Sequence, residues 1–288
     1  MELGGTKCIC ILARGPNDIV DERRIPTTSP AETLAAIEAV LDGWSGIAAL
    51  GIASFGPVSL DRSAADYGFV TASPKPGWQN ADVAQRLARR YGLPVGFHTD
   101  VTGAALGEGR WGAAQGLGDF AYVTVGTGVG VGMIAHGAPV DGMTHAELGH
   151  IRPVRQAGDD WPGHCPFHGA CVEGLIAGPA IEARVGRPAP ELAPDHPAWG
   201  GVVFTLAQLL GALVLTGVPR RIVLGGGVMT GNAHLLPRIK QALTESLAGY
   251  VHTPQLADLD RYVVPAALGS NAGPLGAIVL GLNALAAS

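Results

Sequence analysis

Apolar runs bounded by glycine, proline or asparagine alternate along the chain with longer stretches whose apolar positions recur at helical spacing. The runs at 7–12, 19–25, 47–53, 95–98, 120–125, 129–135, 221–224 and 262–265 predict strands. The second follows the turn Gly15-Pro16-Asn17, the third stops at Ser54-Phe55-Gly56-Pro57, and the seventh runs into three glycines. Helices are predicted from Ser29, a cap with Glu32 three residues on, to about Asp42, and over 80–91, 101–110, 175–185, 199–216, 234–248 and 272–286. Between 136 and 169 the pattern is that of loops. Strands alternating with helices predict an α/β protein, and no internal period of repeat-protein length is visible. The pattern is interrupted between Arg110 and Gly118, where a lobe boundary is expected.

Composition narrows this picture. A chain of 288 residues buries a full core without disulfide staples. The formal net charge of −5 argues against a nucleic-acid-binding surface. The N-terminus lacks a basic segment followed by an apolar stretch, so no signal peptide is read, and no uninterrupted apolar run of about 18 residues predicts a membrane span. A cytoplasmic, reduced protein is expected, in which cysteine pairs suggest metal before disulfide. Glycine, at 43 residues, is about twice its usual share of roughly 7%, and it is expected to concentrate in short loops.

Three such loops share one design, an apolar strand beside glycines: Gly4-Gly5-Thr6, Gly126-Thr127-Gly128-Val129-Gly130 and Gly225-Gly226-Gly227-Val228-Met229. Glycine lets consecutive backbone N–H groups approach one anion, and threonine adds a hydroxyl donor. Glu2, just before the first loop, is placed to hold Mg²⁺ through water. Each loop taken singly reads equally as a tight hairpin turn. Neither the Gly-x-x-x-x-Gly-Lys-Ser/Thr pattern nor a strand-glycine-helix dinucleotide fingerprint is present around Gly126. The remaining expectation is a nucleotide held by hairpin turns from two lobes.

Cys165, His168 and Cys171 are spaced three apart, as a loop wrapping one ion requires, and tetrahedral zinc needs a fourth ligand from His150 or His164. His164 adjoins Cys165, where side chains diverge, which favours His150. Such a site is closed and structural. Cys8 and Cys10 alternate on a strand and face one side, the pattern of core packing. Asp100, between an apolar strand and a helix, is a candidate general base; its other reading is a helix N-cap. Glu147, three residues before His150, is a candidate for polar substrate hydroxyls. So is Glu173, which reads equally as a first-turn helix glutamate. Trp78 offers a ring for stacking on a sugar, or simply for packing.

Together these motifs resemble the ROK family of sugar kinases and repressors, and within it the bacterial fructokinases, over nearly the whole chain. Glu2-Leu3-Gly4-Gly5-Thr6-Lys7 is similar to the family's first phosphate loop, Thr99-Asp100 to the position of its catalytic base, and 126–130 to its second phosphate loop. Glu147-Leu148-Gly149-His150 is similar to the Glu-x-Gly-His motif, whose glutamate and histidine bind sugar while the histidine also ligates zinc. Loop 225–229 resembles the adenosine-binding loop, and Gly178-Pro179 another nucleotide contact. The stretch Cys-Pro-Phe-His-Gly-Ala-Cys-Val-Glu from Cys165 is the fructokinase-like form of the zinc loop, which implies His150, Cys165, His168 and Cys171 as ligands. Two departures stand out. Thr99 replaces the asparagine that precedes the aspartate in glucokinase-like members, and the chain starts at Met1-Glu2 where the family has most of a strand before the first loop, so that either the start is truncated or strand one is short.

The resemblance implies the actin-like, ribonuclease-H-like fold, with two α/β lobes around a ligand cleft. The lobes are expected at 1–112, with 272–288 packing back on it, and at 113–271 with the zinc loop. It implies ATP-dependent phosphorylation of D-fructose at the 6-hydroxyl, with Asp100 as base and Glu147, His150, Glu173, Thr99, Gly56 and Trp78 binding sugar. Gly4, Gly5, Thr6, Lys7, Gly126, Thr127, Gly128, Pro179, Gly225, Gly226, Gly227, Val228 and Met229 are the expected nucleotide contacts. ATP as co-substrate, Mg²⁺, structural Zn²⁺ and a homodimer complete the expectation, with no nucleic-acid or membrane partner. Alternatives are a kinase for mannose, glucose or an N-acetylated hexose, an inactive sugar-binding protein, and a sugar-sensing repressor. The last is disfavoured because the negatively charged chain carries no helix-turn-helix before the first loop.

Overall fold

The computed structural model describes residues 1–288. In chain order the elements are β1 (Glu2–Leu3), β2 (Lys7–Gly15), β3 (Asp18–Pro26), α1 (Pro30–Asp42), β4 (Leu50–Ser54), β5 (Phe69–Val70), β6 (Ala81–Asp82), α2 (Ala84–Tyr91), β7 (Val95–Thr99) and α3 (Asp100–Trp111). There follow β8 (Phe120–Val125), β9 (Val129–Ala135), β10 (Ala138–Pro139), α4 (Val172–Ile176), α5 (Gly178–Val185), α6 (Ala198–Thr216), β11 (Ile222–Gly225), α7 (Gly227–Gly231), α8 (Leu236–Leu247), α9 (Pro254–Ala257), α10 (Leu259–Tyr262), β12 (Val263–Pro265) and α11 (Ala272–Ala286).

The chain divides into two compact units. The first comprises Met1–Gly116, Pro139–Ala146 and Ser270–Ser288; the second comprises Leu117–Ala138 and Glu147–Gly269. The expected lobe 113–271 therefore differs from the second unit, because Pro139–Ala146 folds onto the first, where Asp141 and His145 find hydrogen-bond partners.

The first unit is built on a five-stranded sheet of order β3-β2-β1-β4-β7. The long β2–β3 hairpin is antiparallel, whereas β1, β4 and β7 are parallel neighbours. Helix α1 starts as its sequence requires: Ser29 Oγ accepts from the Glu32 amide, and the Ser29 backbone N–H donates to the Glu32 carboxylate, the reciprocal pairing of a capping box. Its Leu34, Ile37 and Leu41 enter a core shared with Leu3, Cys8, Cys10, Ile52 and Leu87. Helix α11 packs on α3, β4 and β7. The approach is close enough that a Cβ at Gly276 would collide with the backbone at Gly103, and one at Gly51 with the backbone at Ala277. Part of the glycine excess thus serves strand and helix packing, beyond the loops to which sequence assigned it.

The second unit has a sheet of order β10-β9-β8-β11-β12, with β8, β11 and β12 parallel. Its core centres on α6, whose Val202, Leu206, Leu209, Leu210 and Leu213 pack against α4 and α8. Helix α6 is also long and apolar enough to cross a membrane by length and composition, with 61% of its apolar window buried inside the protein.

Two helices depart from the pattern. The stretch 80–91 becomes helical only from Ala84, because Ala81–Asp82 pairs with Phe69–Val70. The stretch 175–185 breaks at Ala177, which is extended, and a new helix opens with Pro179 in its first turn.

Candidate functional site

In the first unit, register places the candidate groups. Leu3 pairs with Ser54 and Ser54 with Thr99, so Gly4, Phe55 and Asp100 follow at the carboxyl ends of three adjacent parallel strands. That edge is where open α/β sheets present ligand-binding loops. The Gly4-Gly5-Thr6 turn is a tight hairpin, closed by the Gly4 N–H donating to Lys7 O at 3.0 Å. Thr27 fastens it, its N–H donating to Thr6 O at 3.0 Å and its hydroxyl to Gly4 O at 2.8 Å. Thr27 carried no signal in the sequence; its role appears only when β3 returns alongside β2. Gly5, Thr6 and Lys7 are exposed. Glu2 is half-buried in β1 with its carboxylate against Gly273, in the first turn of α11. Burial pushes the Glu2 carboxyl above its usual range, and Lys7 opposes that shift. A lone, partly desolvated carboxylate beside a glycine turn suits a hydrated Mg²⁺, which takes few protein ligands.

Asp100 is the first residue of α3 and is half-buried, with its Oδ1 accepting the Val101 N–H at 2.8 Å. The cap of α3 is Thr99: its Oγ1 accepts the Thr102 N–H at 3.2 Å and donates to Thr102 Oγ1 at 2.9 Å. This separates two readings that the sequence left joined. Asp100 is not the N-cap, and Thr99, 4% exposed, is not a sugar contact because its hydroxyl is spent on the helix.

Trp78 is also corrected. The residue is 0% exposed, its indole N–H donates to Thr28 O at 2.7 Å, and its ring meets Phe55 edge-on. No face remains for a sugar. Gly56 lies beside the buried His145 ring, with space for a Cβ 3.5 Å from Cε1.

In the second unit, Thr124 pairs with Gly225, which sets the second and third glycine loops side by side. A Cβ at Gly126 would lie 3.6 Å from the Gly227 nitrogen. The 126–128 loop is the β8–β9 hairpin, and Gly178 N–H donates to Gly126 O at 2.8 Å, drawing the start of α5 to it. Thr127 and Pro179 share a cavity of about 190 Å³ with His164, Glu173 and Ala177. The third loop departs from the expected hairpin, since β11 runs directly into the short α7. Gly226 makes that turn at φ 86°, a conformation L side chains rarely adopt. Val228 and Met229 send their side chains into the core, leaving only backbone for a nucleotide.

His150, Cys165, His168 and Cys171 have ligand atoms all within 4.8 Å of one another; His164 is not among them. Cys165 Sγ lies 3.7 Å from His150 Nδ1 and 3.8 Å from His168 Nδ1, and Cys171 Sγ lies 3.6 Å from His150 Nδ1. Ligands bound to zinc at about 2.0–2.3 Å in a tetrahedron stand roughly 3.3–3.8 Å apart, so the set fits. Burial pushes the Cys171 thiol up to about 11, and Cys165 adds to the shift. A coordinated cation reverses that balance by deprotonating the thiol.

With Nδ1 turned to this cluster, His150 Nε2 faces Glu147 Oε2 and Glu173 Oε1, at 4.0 Å each. Those distances are too long for direct hydrogen bonds. Glu173 is anchored by its other oxygen, which accepts the Val129 N–H at 3.1 Å. Partial burial is the largest influence on Glu147 and raises its carboxyl; His150 opposes this and Glu173 reinforces it. Gly149 lets this segment lie against Val129, where a side chain would collide with the carbonyl.

Comparison with known proteins decides the family. The ROK family model matches residues 1–284. The chain belongs to the ROK family. It is 40% identical over 292 residues to a fructokinase of Zymomonas mobilis, covering 99% of this chain and 96% of that one. It is 39% identical over 285 residues to a fructokinase of Pediococcus pentosaceus, covering 99% and 97%. Among solved structures it is similar to a ROK glucokinase from Streptomyces griseus in complex with glucose and AMPPNP, with a TM-score of 0.78, 25% identity and 98% of each chain covered. The fold class is accordingly that expected from the sequence, the actin-like α/β fold of ROK sugar kinases.

Proposed function

We propose that this ROK protein is an ATP-dependent hexose kinase that phosphorylates D-fructose at the 6-hydroxyl. The observation that carries the reading is the placement of Asp100 at the carboxyl end of β7, on the same sheet edge as the Gly4 turn, which follows β1 across the intervening β4. Full-length similarity to fructokinases supports fructose over other hexoses.

Asp100, at the head of α3 and not consumed as its cap, takes the proton of the attacking hydroxyl. The Gly4 and Gly126 N–H groups close their own turns, and the remaining N–H groups of 5–6 and 127–128, with the hydroxyls of Thr6 and Thr127, face the phosphates in this reading. Gly225, Gly226 and Gly227 admit the adenosine close to the backbone, beside Pro179 at the start of α5. Glu147, Glu173 and His150 Nε2 orient the sugar hydroxyls. Phosphoryl transfer requires little covalent work from a protein, so positioning and electrostatics dominate.

His150, Cys165, His168 and Cys171 would hold zinc, and Glu2 would hold magnesium through water together with the nucleotide's phosphates. Bound magnesium supplies positive charge to the transferred phosphoryl group; bound zinc supplies a fixed orientation for His150. The zinc set has four protein ligands and no open position, which makes it structural.

The test is ADP release with MgATP on fructose, mannose, glucose and N-acetylglucosamine. The highest kcat/KM is expected on fructose. Faster turnover of another hexose would move the substrate assignment, and no turnover on any of them would remove the kinase reading.

A further inference from the structure

His98 immediately precedes Thr99 and Asp100 on β7 and is buried, at 5% exposure. Its Nδ1 accepts the backbone N–H of Thr99 at 2.8 Å. A ring nitrogen that accepts an N–H carries no proton, so the neutral imidazole bears its proton on Nε2. Nε2 lies 2.9 Å from Asp141 Oδ1, and the carboxylate receives that proton's hydrogen bond. Asp141 is 42% exposed and comes from Pro139–Ala146, the segment that folds onto the first unit. The segment is fastened again at its far end. His145 Nε2 accepts the Val58 N–H at 3.1 Å, and Asp141 bridges to His145.

These bonds form a chain toward the proposed base. Asp141 fixes the rotamer and tautomer of His98. His98 fixes the Thr99 peptide. Thr99, as the cap of α3, fixes the start of the helix on which Asp100 stands. We propose that His98 and Asp141 are a positioning pair for Asp100. The inference rests on the reading of Asp100 as the kinase base. Geometry gives such a pair its leverage: a general base acts only within hydrogen-bond reach of the proton it takes, and a misplacement of about 1 Å can cost roughly 100-fold.

The test compares Asp141→Ala with Asp141→Asn in the full chain. The asparagine amide oxygen can accept the same Nε2–H, whereas alanine cannot. Asp141→Ala is expected to lower kcat on fructose about 10-fold or more with KM for ATP unchanged, and Asp141→Asn to restore it to within about threefold. Nitrogen-15 NMR of labelled protein supplies a readout independent of turnover. His98 is expected as the Nε2–H tautomer in the parent protein and as a mixture in Asp141→Ala. A folded Asp141→Ala with parental kcat overturns the proposal, as does finding His98 in the Nδ1–H tautomer, whatever the activity. Absence of hexose turnover by the parent protein, with the Nε2–H tautomer present, overturns the kinase reading and the pair's role in it, and leaves the hydrogen-bond geometry standing.

Discussion

Around Asp100, in the first unit, the polar groups satisfy one another. His98, Thr99, Thr102 and His145 are buried, and each has a hydrogen-bond partner from the chain itself. The His150, Cys165, His168 and Cys171 cluster of the second unit is joined instead by long, weak bonds to sulfur, with the Gly174 N–H donating to Cys171 Sγ at 3.4 Å. Its sulfur and nitrogen atoms stand 3.6–3.8 Å apart, and burial holds the Cys171 thiol protonated near neutral pH. One arrangement is closed by its own hydrogen bonds; the other gathers four ligand atoms at a spacing that could hold an ion. A buried polar network is stable when every member is paired; a ligand cluster becomes stable when its charge is compensated. The two regions should therefore fail under different treatments.

Zinc removal is the strongest way to break this contrast. Structural zinc in small peptides contributes on the order of 10 kcal/mol, so stripping the metal, or Cys171→Ser, should release one equivalent of zinc and greatly speed amide exchange over 163–174. Amides of β1, β4 and β7 should keep their protection. Equal loss in both units would abolish the distinction. Next in size is Asp100→Asn, expected to lower kcat by about 100–10,000-fold while leaving the unfolding temperature near the parental value, because Thr99 caps α3.

Thr99→Ala sharpens the same point. Loss of the cap should cost about 1 kcal/mol of stability with KM for fructose unchanged; a raised KM at parental stability would return Thr99 to the sugar site. The smallest effect is one of pH. Burial, the largest influence, lowers the His145 pKa from 6.5; the bond to Ala146 and the nearby Asp141 oppose this, and His98 adds to it. The unfolded chain therefore binds the proton more readily. The stability of this segment is complete above pH 6.5 and declines as pH falls below it. The protection factor at Val58, its intrinsic exchange rate over the measured one, should fall on acidification, and a measured rate that falls in step with intrinsic exchange would contradict the assignment.

Much of this was legible in local sequence. The capping box at Ser29, the apolar run at 272–286 and the glycine stops after β8 and β11 each carry their own signal, and each lies where that signal put it. The metal spacing was legible for the same reason: three of its ligands lie within seven residues. What escaped depends on partners far along the chain. Trp78 is withdrawn from solvent by Thr28, fifty residues away. Ala81–Asp82 is kept from helix by Phe69–Val70. The Asp141 and His145 contacts to His98 and Val58 span 43 and 87 residues, and no local pattern announces them. Thr99 is the exception, because Thr-Asp-Val-Thr holds a readable cap at Thr99 itself, one residue before the position weighed for it.

The most direct test of the central claim is the product itself. Carbon-13-labelled fructose is incubated with MgATP and either the parent protein or Asp100→Asn, and the sugar is read by NMR. The account predicts phosphorus coupling at C6 with the parent protein and almost none with Asp100→Asn. Phosphate on another carbon, or equal product from the two proteins, would contradict it.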